Sequence, residues 1–131
     1  MTCKLENTIC YLHHRSHCIL VGNATTGLVI ALTALGLKKK RIAIPNSVCP
    51  HVPIAIFLSG NYPYYIDITM RNLGLDVRDL MRAGNQIDAV IAVHAYGSIS
   101  DIVKIADYCK NYNLPLIEDL AVAQGATSDG R

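Results

Sequence analysis

Two stretches of this sequence have the residue types and spacing that chemistry needs. The first is Gly22-Asn23-Ala24-Thr25-Thr26-Gly27, which follows the short apolar run Cys18-Ile19-Leu20-Val21 and opens a helical pattern. The first turn of a helix leaves its amides without intrahelical acceptors. The amides of Ala24 and Thr25, with the Thr25 hydroxyl as an added donor, could therefore grip a phosphate. Ordinary capping by Asn23 or Thr25 is the alternative. The second stretch is Glu118-Asp119, which closes an apolar run and precedes Leu120-Ala121-Val122-Ala123. A carboxylate drawn partly out of water needs a cation or hydrogen-bond donors. A protonated pyridine nitrogen would serve Asp119 and would be held there as an electron sink. A helix cap, or an ion pair with a nearby Lys or Arg, would serve it too.

Other groups are weaker candidates. Cys49 could be a nucleophile with His51 or His94 as base, but no orienting acid is evident. Cys10, His13, His14, His17 and Cys18 form the one cluster of metal-ligand types, and His13 and His17 share a helical face. Their spacing matches no standard zinc site, and a helix-to-strand junction accounts for them. No Gly-Lys-Ser/Thr follows the first turn, and the G-x-G-x-x-G fingerprint with its ribose-binding acid is missing, which argues against a nucleotide loop and a dinucleotide-binding domain.

The elements that must position these residues follow from periodicity. Residues 2–13 are weakly helical. Cys18–Val21 reads as a buried strand, and 24–37 as a helix with Leu28, Ala31, Leu32 and Leu35 at helical spacing. A strand follows over Arg41–Ile44, a helix over Val52–Leu58, and a strand over Tyr62–Ile68, which Pro63 suits to a sheet edge. Asp76–Arg82 reads as helix, Ile87–Ala95 as strand, Asp101–Tyr112 as helix and Leu114–Ile117 as the last strand. Ser128–Arg131 reads as a polar turn. Five strands alternating with helices imply a doubly wound, mostly parallel α/β sheet, whose ligands bind beyond the carboxyl ends of the strands.

Bulk composition narrows the function classes. The chain has 131 residues, enough for one domain with a core, and is 51% hydrophobic but only 17% charged. Its mean hydropathy is positive, so much of its surface is expected to be covered. The net charge of +2 and the lack of a basic stripe leave no electrostatic footprint for nucleic acid. The run Lys38-Lys39-Lys40-Arg41 suits a solvated helix end. Five cysteines without a CxxC pair fit reduced thiols in a cytoplasmic protein. No secretory signal or membrane-length apolar stretch is evident.

Taken in order, these segments resemble the DegT/DnrJ/StrS family of sugar aminotransferases. The resemblance runs from about His17 to Arg131. It rests on NATTGL at 23–28, ALTALG at 31–36, RIAIP at 41–45, YPYYIDI at 62–68, AVIAVHAYG at 89–97 and LPLIEDLAVAQGA at 114–126. It implies the three-layer, mostly parallel sheet of the fold-type I pyridoxal-phosphate-dependent transferase large domain, here incomplete. It implies pyridoxal 5′-phosphate as cofactor, with Ala24 and Thr25 at the phosphate and Asp119 at the pyridine nitrogen. Cys49 stands where the family usually stacks an aromatic residue on the ring, and Val122 where it usually has Gln or His. His94 and Tyr96 match a family motif without an assignable role.

The resemblance also implies an amino transfer, from glutamate or glutamine to a keto-sugar nucleotide, feeding polysaccharide, lipopolysaccharide or glycosylated natural-product synthesis. The family's chains are about three times longer, and the segment with the Schiff-base lysine lies beyond Arg131. The chain alone is therefore expected to be catalytically incomplete, working with a complementing C-terminal half or within a homodimer-like assembly. The alternative is a non-catalytic remnant that binds phosphate or a partner. In the family's sheet the first strand is separated from the others by two later strands. Cys18–Val21 is accordingly expected to lack a strand neighbour, leaving the isolated chain marginal or aggregation-prone.

Overall fold

The computed structural model describes residues 3–127; the expected turn at 128–131 lies outside them. Among the described residues five α-helices and four strands follow in chain order, alternating from α2 onward: α1 (Lys4–Leu12), α2 (Ala24–Ala34), β1 (Arg41–Pro45), α3 (His51–Leu58), β2 (Tyr62–Ile66), α4 (Val77–Ala83), β3 (Ala89–Val93), α5 (Ile102–Asn111) and β4 (Leu116–Asp119). The strands form one sheet in the order β2-β1-β3-β4, and every pairing is parallel.

Alternation along the strands explains the layers. Ile42 and Ile44 of β1 and Ala89 and Ile91 of β3 face one way, onto Leu28 and Leu32 of α2 and Val52, Ala55 and Ile56 of α3. Ala43, Val90 and Ala92 face the other way, onto Leu80 and Ala83 of α4 and Ile105, Tyr108 and Cys109 of α5. Both faces of the central strands are thus buried, which is why those strands read as continuous apolar runs. Β2 lies at an edge, as Pro63 requires, since a proline cannot donate to a ladder.

Side-chain pins set the strand starts. The buried Asn61 accepts from the Lys40 amide (3.0 Å) and donates to the Leu37 carbonyl (3.0 Å), tying the chain before β1 to the chain before β2. Asp88, just ahead of β3, accepts from the Arg41 amide (2.8 Å) and from Lys40 Nζ (2.9 Å). It fixes where β3 meets β1.

The expected strand at Cys18–Val21 does not form. Its residues belong to no ladder, and Ile19 is 72% exposed. A strand needs a neighbour to bond, and none among the described residues lies beside this segment; instead the Leu20 amide donates to Glu6 Oε1 at 3.2 Å. The observed strands are therefore four, not five. The strand expected over Ile87–Ala95 is shorter because His94 and Ala95 already begin a turn. That expected over Tyr62–Ile68 stops at Ile66, after which Ile68 makes a lone antiparallel bridge to Leu75.

Candidate functional site

From β1 the chain passes through α3 to β2 on one side, then returns through α4 to β3 on the other. The carboxyl ends of β1 and β3 are therefore a topological switch point, where the connecting segments diverge and leave a crevice. A cleft of about 650 Å³ opens there. One wall is the turn after β1, with Ser47, Val48 and Cys49, and another is the turn after β3, with Ala95, Tyr96 and Gly97. Asp119 at the end of β4 and Val122 complete it. A second cleft, of about 420 Å³, lies beside it between Ala24, Gly27 and Leu28 of α2 and the segment Ile117–Ala121, with Gln124. Asp119 and Ala121 line both.

The start of α2 has the donors expected of it. Asn23 caps the helix, its side chain accepting from the Thr26 amide at 2.8 Å. Because Asn23 takes that role, the amides of Ala24 and Thr25 have no partner among the described residues. Ala24 lines the smaller cleft, whereas Thr25 is half-buried one residue further in and does not.

Asp119 is half-buried. Its Oδ1 accepts from the Ala121 amide at 3.0 Å, and its carbonyl accepts from the His94 amide at 3.1 Å. No Lys, Arg or His among the described residues lies within ion-pair distance of its carboxylate. The carboxylate thus keeps acceptor capacity for a group entering the cleft.

Cys49 is exposed at the cleft mouth, its Sγ 3.2 Å from His51 Nδ1. His94 cannot serve as its base, because its ring points across the sheet toward Ser100 and Glu118. Cys10, His13, His14, His17 and Cys18 are not gathered as metal ligands, and no group of three or more His, Cys, Asp or Glu among the described residues is. No helix among them is long and apolar enough to cross a membrane.

Sequence reasoning brought Ala24, Cys49 and Asp119 to this end of the sheet because each follows a strand or opens a helix. It missed what stands behind the β3 turn. His94 Nδ1 accepts from the Ser100 amide at 3.1 Å, and Nε2 lies 3.5 Å from Glu118 Oε2. The His94 imidazole holds the Glu118 carboxyl below the usual carboxylate range, with partial burial opposing and Arg15 adding a little. The partner of Nδ1 is a backbone amide, which residue identity cannot signal.

Comparison with known proteins places these features in a wider set. A sequence model of the DegT/DnrJ/EryC1/StrS aminotransferase family matches residues 1–131. The GDP-perosamine synthase of Vibrio cholerae is 33% identical over 117 residues, covering 88% of this chain and 32% of that protein. The dTDP-4-amino-4,6-dideoxy-D-glucose transaminase of Shigella dysenteriae is 34% identical over 127 residues, covering 96% and 34%. The crystal structure of NtdA from Bacillus subtilis with bound cofactor PMP superposes with a TM-score of 0.91 at 27% identity, covering 97% of this chain and 30% of that one. DesV of S. venezuelae, in complex with a ketimine intermediate, gives 0.91 at 23% identity, covering 96% and 34%. The chain spans about a third of the length of the curated relatives it matches.

Proposed function

Because the chain belongs to the DegT/DnrJ/EryC1/StrS aminotransferase family, we propose that it is the N-terminal part of a pyridoxal-phosphate-dependent aminotransferase acting on keto-sugar nucleotides. The relatives named above as a sugar-nucleotide synthase and a sugar-nucleotide transaminase support the substrate class. The observation that carries the reading is Asp119, a half-buried carboxylate with no cation beside it among the described residues, set between the switch-point cleft and the start of α2.

The residues fit the cofactor on the chemistry of their donors. The amide of Ala24, which lines the smaller cleft at the positive end of an 11-residue helix, would hold the phosphate, with the Thr25 amide set behind it. Asp119 would pair with the pyridine nitrogen and keep it protonated, and Cys49 would pack against the ring. When bound, the cofactor supplies an electron sink for the amino-bearing carbon. Asp119 raises that capacity by holding a proton at the ring nitrogen, while Val48, Val52, Val93 and Val122 give the cleft apolar walls that keep water from the ring. The thiol at 49 offers less stacking area than an aromatic ring, and the valine at 122 offers no hydrogen bond. We therefore expect a looser grip than in relatives with those groups.

On this reading the amine that anchors the cofactor, and with it turnover, lies outside these 131 residues. The test is a titration of the 131-residue chain with pyridoxal 5′-phosphate, followed by fluorescence and by equilibrium dialysis. We expect saturable binding, weakened about tenfold or more in Asp119→Ala by loss of one charge-assisted hydrogen bond. Binding that ignores Asp119, or that inorganic phosphate does not compete, would sink the assignment. Binding with no turnover after a lysine-bearing half is supplied would favour the non-catalytic remnant.

A further inference from the structure

The turn after β3 forms a wall of the larger cleft and is held in an unusual way. Tyr96 and Gly97 are consecutive left-handed residues, with φ of 53° and 77°, and for a tyrosine that conformation is costly. Within the turn, the Ser98 amide donates to the Ala95 carbonyl at 2.8 Å. The closure of its two ends is made by His94, which is only 1% exposed. Nδ1 stands 3.1 Å from both the amide nitrogen and Oγ of Ser100. An amide can only donate, so Nδ1 is the acceptor and the neutral ring carries its proton on Nε2. Nε2 lacks a well-formed hydrogen bond and faces Glu118 Oε2 at 3.5 Å. Ser100 cannot retreat from this clasp: a Cβ added at Gly74 would stand 2.4 Å from the Ser100 Cβ, so the loop behind it is in contact.

We propose that His94 is a positioning residue for the cleft. Through Nδ1 it fixes the wall that carries Tyr96, and through Nε2 it draws Glu118 to the rear of the sheet. Successive strand residues point to opposite faces. Holding Glu118 at the rear therefore leaves Asp119 turned toward the cleft. The same residue's main chain reinforces this, because the His94 amide bonds the Asp119 carbonyl at 3.1 Å. The inference rests on the proposed function only for the identity of the ligand.

Two substitutions separate the two ring nitrogens. His94→Asn puts an amide oxygen where Nδ1 accepts, whereas His94→Gln reaches toward Glu118 and leaves the Ser100 amide without an acceptor. We expect the dissociation constant for pyridoxal 5′-phosphate to rise about tenfold in His94→Gln but less than about threefold in His94→Asn, the difference one hydrogen bond makes. Amide exchange at Ser100 should quicken in His94→Gln and stay slow in His94→Asn. Ring nitrogen NMR of the unaltered chain should show the Nε2–H tautomer. Equal losses in both variants, or a proton found on Nδ1, would overturn the proposal. If the unaltered chain takes up no pyridoxal phosphate, the cofactor reading fails by itself. In that case Ser100 exchange and the Tyr96 ring shifts, compared between Asn and Gln, still decide whether His94 sets the wall.

Discussion

Glu118 and Asp88 show how single carboxylates link this fold to pH. Glu118 is held below the usual range by His94. At Asp88 partial burial pushes the carboxyl up, but the Arg41 amide and Lys40 outweigh it and leave it lowered. A lowered folded value means that each contribution is fully present above the unfolded carboxylate range and is lost as pH falls through the folded value. We expect the midpoint of urea unfolding to be level from about pH 7 to 5.5 and to fall below about pH 4.5. In Asp88→Asn that acid slope should be shallower; an unchanged slope would show that the pin before β3 carries no linkage. At this scale the sequence put Ala24 at the start of a helix and Cys49 and Asp119 at or just past strand ends, and the structure has them at those places. The sequence could not announce the clasp at His94. Ser100 takes part through its backbone, and Gly74 through the absence of a side chain, and neither leaves a mark on residue type.

The helices differ in what holds them. Helix α2 is anchored by Leu32, which is fully buried against the β1 and β3 isoleucines, whereas its amino end is secured by the Asn23 side chain, which accepts one hydrogen bond from the Thr26 amide. Leu32→Ala should cost about 2–5 kcal/mol in chemical denaturation, because it removes buried methyl groups and leaves a void. Asn23→Ala should cost only about 1 kcal/mol, the worth of a cap. Costs of equal size would mean that α2 is not packed as described. Helix α2 was legible because its apolar residues recur at helical spacing, and the central strands because they are short continuous apolar runs bounded by turns. Cys18–Val21 misled for a physical reason: an apolar, β-branched run looks the same whether or not a partner strand is present, and pairing is a property of the neighbour. In the structure Ile19, Leu20 and Val21 are exposed.

Across the whole molecule the two sheet edges are unequal. The β2 edge carries Pro63, which discourages further pairing, while β4 is bonded to β3 on one side and offers Leu116-Ile117-Glu118-Asp119 without a proline on the other. Near it lie the exposed Leu120 and Val122. We expect the isolated chain to associate as its concentration rises from about 1 to 100 μM, a range in which open strand edges find one another. Sedimentation velocity checks this. A single monomeric species with a sharp, cooperative melt throughout would show that the edge is protected.

The strand order β2-β1-β3-β4 also separates birth order from spatial order. During synthesis β1 and β2 can pair as soon as both have left the ribosome, yet β3 must later settle on the opposite flank of β1. Ala89 follows Pro45 by 44 residues, a delay of roughly 2–9 s at about 5–20 residues per second. Throughout that interval the strand destined for the centre of the sheet is itself an open flank on the nascent chain. Asp88 is then the first residue to arrive with a reason to close it, since Lys40 and the Arg41 amide wait at the foot of β1.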